Sequence, residues 1–274
     1  MIPSIKMPLG FRAAGINSGA RRYRPDFALV ISDQPCTAVG TFTKNTLKAS
    51  PVRYNMARLP AENIRAVVCN SGHANVGTGV KGDEDNLVLA QKTAHSMGID
   101  ESEMLVASTG VVGERIPLDT LVSALPSLER SLGDTINNFS LAIMTTDLVP
   151  KFRTQTVSLA KGEITFTGAS KGSGMIHPNM GTMLGFIFCD AWVDKDWAQE
   201  LLREIIDDTF NMISVDGETS TNDMVLLLNN GASNLRIESA EEKLAYAKAL
   251  RETCQDLAIA IAKDGEGASK LITT

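Results

Sequence analysis

Short unbroken apolar runs alternate along this chain with stretches whose apolar residues return every three or four positions. That alternation predicts an α/β protein with strands buried between helices. Ile64–Cys69 is apolar apart from Arg65, as expected of a strand covered on both faces, and Met104–Ala107, Thr182–Cys189 and Met224–Leu228 read as strands too. Asp26–Ser32 and Cys36–Thr43 are two β-rich runs split by Asp33, Gln34 and Pro35, which predicts a hairpin or tight strand pair. Thr154–Leu159 and Glu163–Thr167 alternate around Lys161 and Gly162, which predicts a second hairpin.

Helical spacing appears at Leu87, Ala90, Ala94 and Met97, and at Leu118, Leu121 and Leu125, where Pro117 opens the helix and Pro126 bends or stops it. Trp197, Leu201 and Ile205 form a third stripe with Asp194 as its cap. The last helix starts at a capping box, Ser239 with Glu242, and carries Leu244, Ala247, Leu250, Cys254, Leu257 and Ile261 on one side. No linker separates these elements, so the 274 residues are expected to form two closely joined lobes.

Charge narrows the partners. A net charge of −6 offers no electrostatic case for nucleic acid or an anionic membrane, which leaves small molecules and protein subunits. Cys36, Cys69, Cys189 and Cys254 are too widely spaced for a zinc site and are expected to pack as small apolar residues in a reducing compartment, the cytoplasm. No apolar run approaches the ~20 residues of a membrane span, and the first residues lack the continuous apolar core of a signal peptide.

The chemistry-bearing residues sit in loops. Gly77–Gly82 satisfies the GxGxxG pattern of a dinucleotide site, which would make the chain a nucleotide-dependent oxidoreductase. Cys69 and Gly77 are too far apart for the tight strand-to-helix turn, however, and Asp83, Glu84 and Asp85 would repel a pyrophosphate. Asp216, Glu218 and Asp223 lack calcium-loop spacing and suit a turn bonded to its own backbone. Arg21, Arg22 and Arg24 read as a solvated cluster, and His73 and His177 stand in glycine-rich loops where a site could use them. Thr182 puts a hydroxyl where such a loop meets a strand, a rigid place to hold a reacting atom. Asn70–Gly82, Ser108–Gly110, Met144–Asp147, Lys171–Thr182, Ser214–Asp223 and Asp264–Lys270 are all polar and rich in hydroxyls or glycine, and together they suggest a small-molecule pocket.

Those loops carry a resemblance. CNSGHANVGTG (Cys69–Gly79), ASTGVVG (Ala107–Gly113), IMTTD (Ile143–Asp147), KGSGMIHPNMGTML (Lys171–Leu184), SVDGETSTND (Ser214–Asp223) and KDGEGASK (Lys263–Lys270) together resemble the ornithine acetyltransferase family, the glutamate N-acetyltransferases of arginine biosynthesis. The resemblance implies a mixed-sheet, layered α/β fold with helices packed on the sheets. It implies a precursor that cuts itself between Gly181 and Thr182, leaving an alpha segment (1–181) and a beta segment (182–274) that stay associated as a hetero-oligomer. Thr182 is then the nucleophile that takes the acetyl group of N-acetylornithine and passes it to glutamate. Thr109 and Gly110 match the oxyanion hole, and Thr145, Lys171 and Glu266 match substrate-binding positions. No metal, nucleotide or other cofactor is implied. Relative to the family the chain ends soon after KDGEGASK, and a shortened, non-catalytic subunit or scaffold is the alternative expectation.

Overall fold

The computed structural model describes residues 3–177 and 183–273. Its strands are β1 (Phe11–Ile16), β2 (Phe27–Phe42), β3 (Ala61–His73), β4 (Met104–Val111), β5 (Lys151–Leu159), β6 (Gly162–Lys171), β7 (Leu184–Cys189) and β8 (Met224–Asn229). The helices are α1 (Ser50–Met56), α2 (Gly79–Met97), α3 (Leu118–Arg130), α4 (Asn137–Ala142), α5 (Lys195–Asp207) and α6 (Ala240–Lys263). Among the described residues, these strands form one sheet of order β4-β3-β2-β8-β7-β6-β5, with β1 added to β2. The pairs β3–β4 and β7–β8 are parallel and the rest antiparallel. The sheet is mixed, as expected.

Side-chain alternation shows how the sheet is layered. Leu105 and Ala107 of β4 share a core with Phe186 and Phe188 of β7, while Met104 and Val106 face α2 and α3, and Ile187 and Cys189 face α5 and α6. The sheet therefore folds over on itself, with an inner core between its halves and helices on both outer faces. Phe139 of α4 plugs the inner core edge-on to Phe186, ring centroids 5.1 Å apart. Burying one such aromatic side chain stabilises by about 1.5–3 kcal/mol.

The predicted hairpin at Asp33–Pro35 is instead a kink within the single long strand β2. Both halves pair with β3, but the register shifts between Ile31 and Cys36, and Asp33, Gln34 and Pro35 are exposed. Proline lacks a ladder N–H and is tolerated at such a bulge. The bend lets the first half of β2 pack against α2 and α3 while Val39 reaches the α5–α6 core. Pro126 lies inside α3, which runs on to Arg130. Leu87 and Leu244 are 40% and 73% exposed, so they leave the stripes assigned to them; Tyr246 is buried in α6 instead. The caps are as expected, with Asp194 accepting from the Trp197 N–H and Ser239 from the Glu242 N–H.

Strands β7 and β8 follow Thr182 in sequence yet lie mid-sheet, between β6 and β2. Every residue of both is buried.

Candidate active site

One end of the sheet gathers the polar loops. β3 and β4 run parallel and deliver Gly72 and His73 beside Thr109 and Gly110. Lys171 ends β6, Thr145 and Thr146 follow α4, and Glu266 follows α6. These side chains line a cleft of about 580 Å³, within the range of small-molecule sites. All five described positions that the resemblance singles out are in it: Thr109, Gly110, Thr145, Lys171 and Glu266. Gly181 and Thr182 lie outside the described residues.

Backbone conformation makes the β3–β4 end specific to glycine. Gly110 has φ +134, and a Cβ there would sit 2.5 Å from the Gly72 carbonyl oxygen and 2.6 Å from its Cα. β4 can approach β3 this closely only where it carries no side chain at Gly110. Buried amides then fasten the strand ends. Asn222 donates to the carbonyls of Ala74 at 2.6 Å and Ser108 at 2.8 Å, and the Ser108 hydroxyl donates to Asn70 Oδ1 at 2.6 Å.

Lys171 is 3% exposed and donates to Thr109 Oγ1 at 3.3 Å. That contact leaves the Thr109 hydroxyl proton free to point into the cleft. Burial pushes the Lys171 ammonium below its ordinary pKa, against the opposing pull of Asp147 and Asp223. Glu266 turns its carboxylate onto Gly174, where a Cβ would lie 2.7 Å from Glu266 Oε2, and its N–H donates to the Ser173 carbonyl at 2.7 Å. Thr146 and Ser173 share a hydroxyl hydrogen bond of 2.8 Å. The cleft thus presents an ammonium, a carboxylate and several hydroxyls, a set that complements a zwitterion with a charged side chain.

Asp223 precedes β8 and accepts from the Met183 N–H at 2.8 Å. Burial raises this carboxyl well above the ordinary range, against the pull of the Met183 N–H, Ser220 and Lys171. The folded chain therefore holds the proton more tightly than the unfolded chain does. Its stabilising effect is fully present below the unfolded pKa of 3.8 and is lost as pH rises through the raised folded value. Asp223→Asn keeps an acceptor for Met183, so the variant is expected to lose less stability than the wild type as pH rises from 3.8. Urea midpoints for both proteins across a pH series measure this. A difference between them that does not change with pH contradicts it.

The cysteines offer no competing nucleophile. All four are buried, and burial pushes the Cys36 and Cys69 thiols up to about 12 and raises those of Cys189 and Cys254. The Gly77–Gly82 turn packs against itself, since a Cβ on Gly82 would overlap Thr78 Oγ1 and lie 2.6 Å from Asn75 Oδ1. Asp216 accepts from the Glu218 N–H at 3.2 Å, the turn bonded to its own backbone that was expected, and it also reaches across to the Ile176 N–H at 2.9 Å and the Met175 N–H. His177 is exposed, while His73 lines the cleft. No helix among the described residues is long and apolar enough to cross a membrane.

Arg21 was expected among solvated charges but lines the cleft instead. Its guanidinium donates to the Met144 carbonyl at 2.7 Å and the Ser71 hydroxyl at 3.3 Å. A cluster of three arginines near one another carries no signal for such a long-range contact.

Comparison with known proteins bears on the same segments. The chain is 42% identical over 272 residues to an arginine biosynthesis bifunctional protein ArgJ of Streptococcus thermophilus, covering 98% of this chain and 68% of that protein. It is 43% identical to a glutamate N-acetyltransferase of Methanopyrus kandleri, again over 98% of this chain and 68% of that protein. The solved ornithine acetyltransferase of Mycobacterium tuberculosis, a complex with ornithine, superimposes with a TM-score of 0.59 at 33% identity, covering 64% of this chain and 94% of that one. The ArgJ family model matches residues 12–274, and the chain belongs to the ArgJ family.

Proposed function

We propose that this protein is an acyltransferase of arginine biosynthesis that moves the acetyl group of N-acetyl-L-ornithine to L-glutamate through an acetyl-threonine at Thr182. The observation that carries this reading is the convergence of Thr109, Gly110, Thr145, Lys171 and Glu266, drawn from four separate stretches of sequence, on one cleft. Two relatives named for these activities support it. Thr182 directly precedes Met183, whose amide is held by Asp223 at the head of the buried strand pair β7–β8.

In this proposal the chain first cuts the Gly181–Thr182 bond. The mycobacterial ornithine acetyltransferase chain is matched over 94% of its length by 64% of this one, close to the share that precedes Thr182 here. The freed α-amino group of Thr182, with a reference pKa of ~7.7–8.0, then takes the proton of its own hydroxyl. The oxygen attacks the acetyl carbonyl. The negative charge on the carbonyl oxygen meets the Gly110 N–H and the Thr109 hydroxyl, whose orientation the Lys171 ammonium fixes. One such donor lowers the barrier by roughly 3–4 kcal/mol. The C–N bond breaks, the proton goes to the departing amine, and ornithine leaves. Glutamate's amine attacks the acetyl-threonine by the same route in reverse and restores the hydroxyl. Lys171 suits a substrate carboxylate, and Glu266 suits the ornithine side-chain ammonium.

Intact mass under denaturing conditions, before and after incubation with N-acetylornithine, tests the reading. Two fragments that meet at Gly181–Thr182, the second gaining one acetyl group, support it. A single uncut chain without an adduct overturns it in favour of a non-catalytic subunit.

A further inference from the structure

Three of the cleft's polar side chains stand on three different loops. Thr145 follows α4, Lys171 leads out of β6, and Glu266 follows α6. Behind them lies a cluster that touches all three loops. The Lys151 ammonium donates to Asp147 Oδ1 at 2.6 Å and to Asp264 Oδ2 at 2.6 Å. The three side chains are only 1%, 0% and 7% exposed. Each carboxylate also takes main-chain donors. Asp147 accepts from the Thr145 N–H at 3.0 Å and the Gly172 N–H at 2.8 Å, and Asp264 accepts from the Leu148 N–H at 3.0 Å.

Stability alone does not account for this arrangement. Removing charges from water is costly, and replacing a buried ion group by well-packed apolar residues is often neutral or stabilising. An apolar trio of the same volume, however, cannot aim the Thr145, Leu148 and Gly172 amides at fixed points. Here each amide is next to or near a cleft residue: Thr145 itself, Leu148 two residues after Thr146, and Gly172 one residue after Lys171, while the Asp264 carboxylate lies two residues before Glu266. Nearby charges reinforce the tie, since Asp147 also attracts Lys171.

We propose that Lys151 is a positioning residue: with Asp147 and Asp264 it locks the loops of Thr145, Lys171 and Glu266 into a single geometry for a zwitterionic amino acid. The identity of that amino acid rests on the acetyltransferase reading; the lock itself does not. Among the described residues, Thr109 and Gly110 of β4 share no hydrogen bond with Lys151, Asp147 or Asp264, and the tie from the lock to the oxyanion hole runs through Lys171, which donates to Thr109 Oγ1 at 3.3 Å. Loosening the lock therefore acts on binding through all three loops and on the oxyanion hole through that one contact, so the effect on KM exceeds the effect on kcat.

The test compares the wild type with Lys151→Met and with Asp264→Asn, which keeps an acceptor for Leu148 and removes the charge. In Lys151→Met, KM for N-acetylornithine is expected to rise at least about tenfold, while kcat per acetylated site falls by a smaller factor. Asp264→Asn shifts the same way by less and stands in if Lys151→Met does not fold. A fall in kcat with KM unchanged, or a lower melting temperature with both constants unchanged, overturns the proposal. A second arm needs no catalysis. Amide exchange at Thr145, Leu148 and Gly172 is expected to speed up at least about tenfold in either variant, with β7 and β8 unaffected. Unchanged exchange at those three amides also overturns it. If the wild type takes no acetyl group, the acetyltransferase reading fails and the exchange arm alone decides whether the lock exists.

Discussion

Thr182→Ala is expected to yield one uncut chain that gains no acetyl group from N-acetylornithine and transfers none to glutamate. Loss of a nucleophile from a preorganised site lowers turnover by about four to six orders of magnitude, the remainder coming from binding and the oxyanion donors. Cleavage and transfer disappear together because the proposal gives both to the same hydroxyl. Thr182→Ser, which keeps a hydroxyl, is expected to retain part of each. In the wild type the two pieces should stay together in native size-exclusion chromatography and separate only in denaturant, because β7 and β8 lie mid-sheet between β6 and β2. Denaturing mass spectrometry with a radiolabelled acetyl assay reads all of this. Transfer that persists in Thr182→Ala places the nucleophile elsewhere.

Gly110→Ala is the second large effect. The new Cβ meets backbone rather than a movable side chain, 2.5 Å from the Gly72 carbonyl oxygen, and φ +134 is a conformation alanine resists. The ends of β3 and β4 must separate, and the Gly110 N–H moves with them. Strain of this kind costs about 1–3 kcal/mol of stability. If the Gly110 N–H is the proposed oxyanion donor, displacing it lowers kcat by about a hundred- to a thousandfold, with a smaller change in KM, since Lys171 and Glu266 stand on other elements. Gly133→Ala is the control, because its Cβ would meet nothing within 4 Å. Steady-state kinetics and thermal melts of both variants check the contrast. Equal effects at the two glycines would show that the close approach of Gly72 and Gly110 has no catalytic weight.

Much of this protein is legible in its sequence because its signals are local. Ile64–Cys69, apolar apart from Arg65, is a strand, Ser239 and Glu242 form the box that starts α6, and Asp194 caps α5. The polar loops singled out in sequence meet at one cleft, because close backbone approach at strand ends needs glycine and small hydroxyl residues wherever it lies in the chain. Periodicity resolves a buried face only to within a residue or two, and so it put Leu87 and Leu244 inside while Tyr246 took the core. Asp33–Pro35 carries turn chemistry that fits a hairpin or a bulge equally well, and only pairing with β3 decides between them. The cleft's deeper design depends on tertiary structure alone. Arg21 reaches a carbonyl 123 positions away, and Lys151 pairs with a carboxylate 113 positions away. Such contacts leave no mark in local spacing, because a charge in sequence looks the same whether its partner is water or a buried carboxylate. Burial, which only the folded chain supplies, turns those charges into structure.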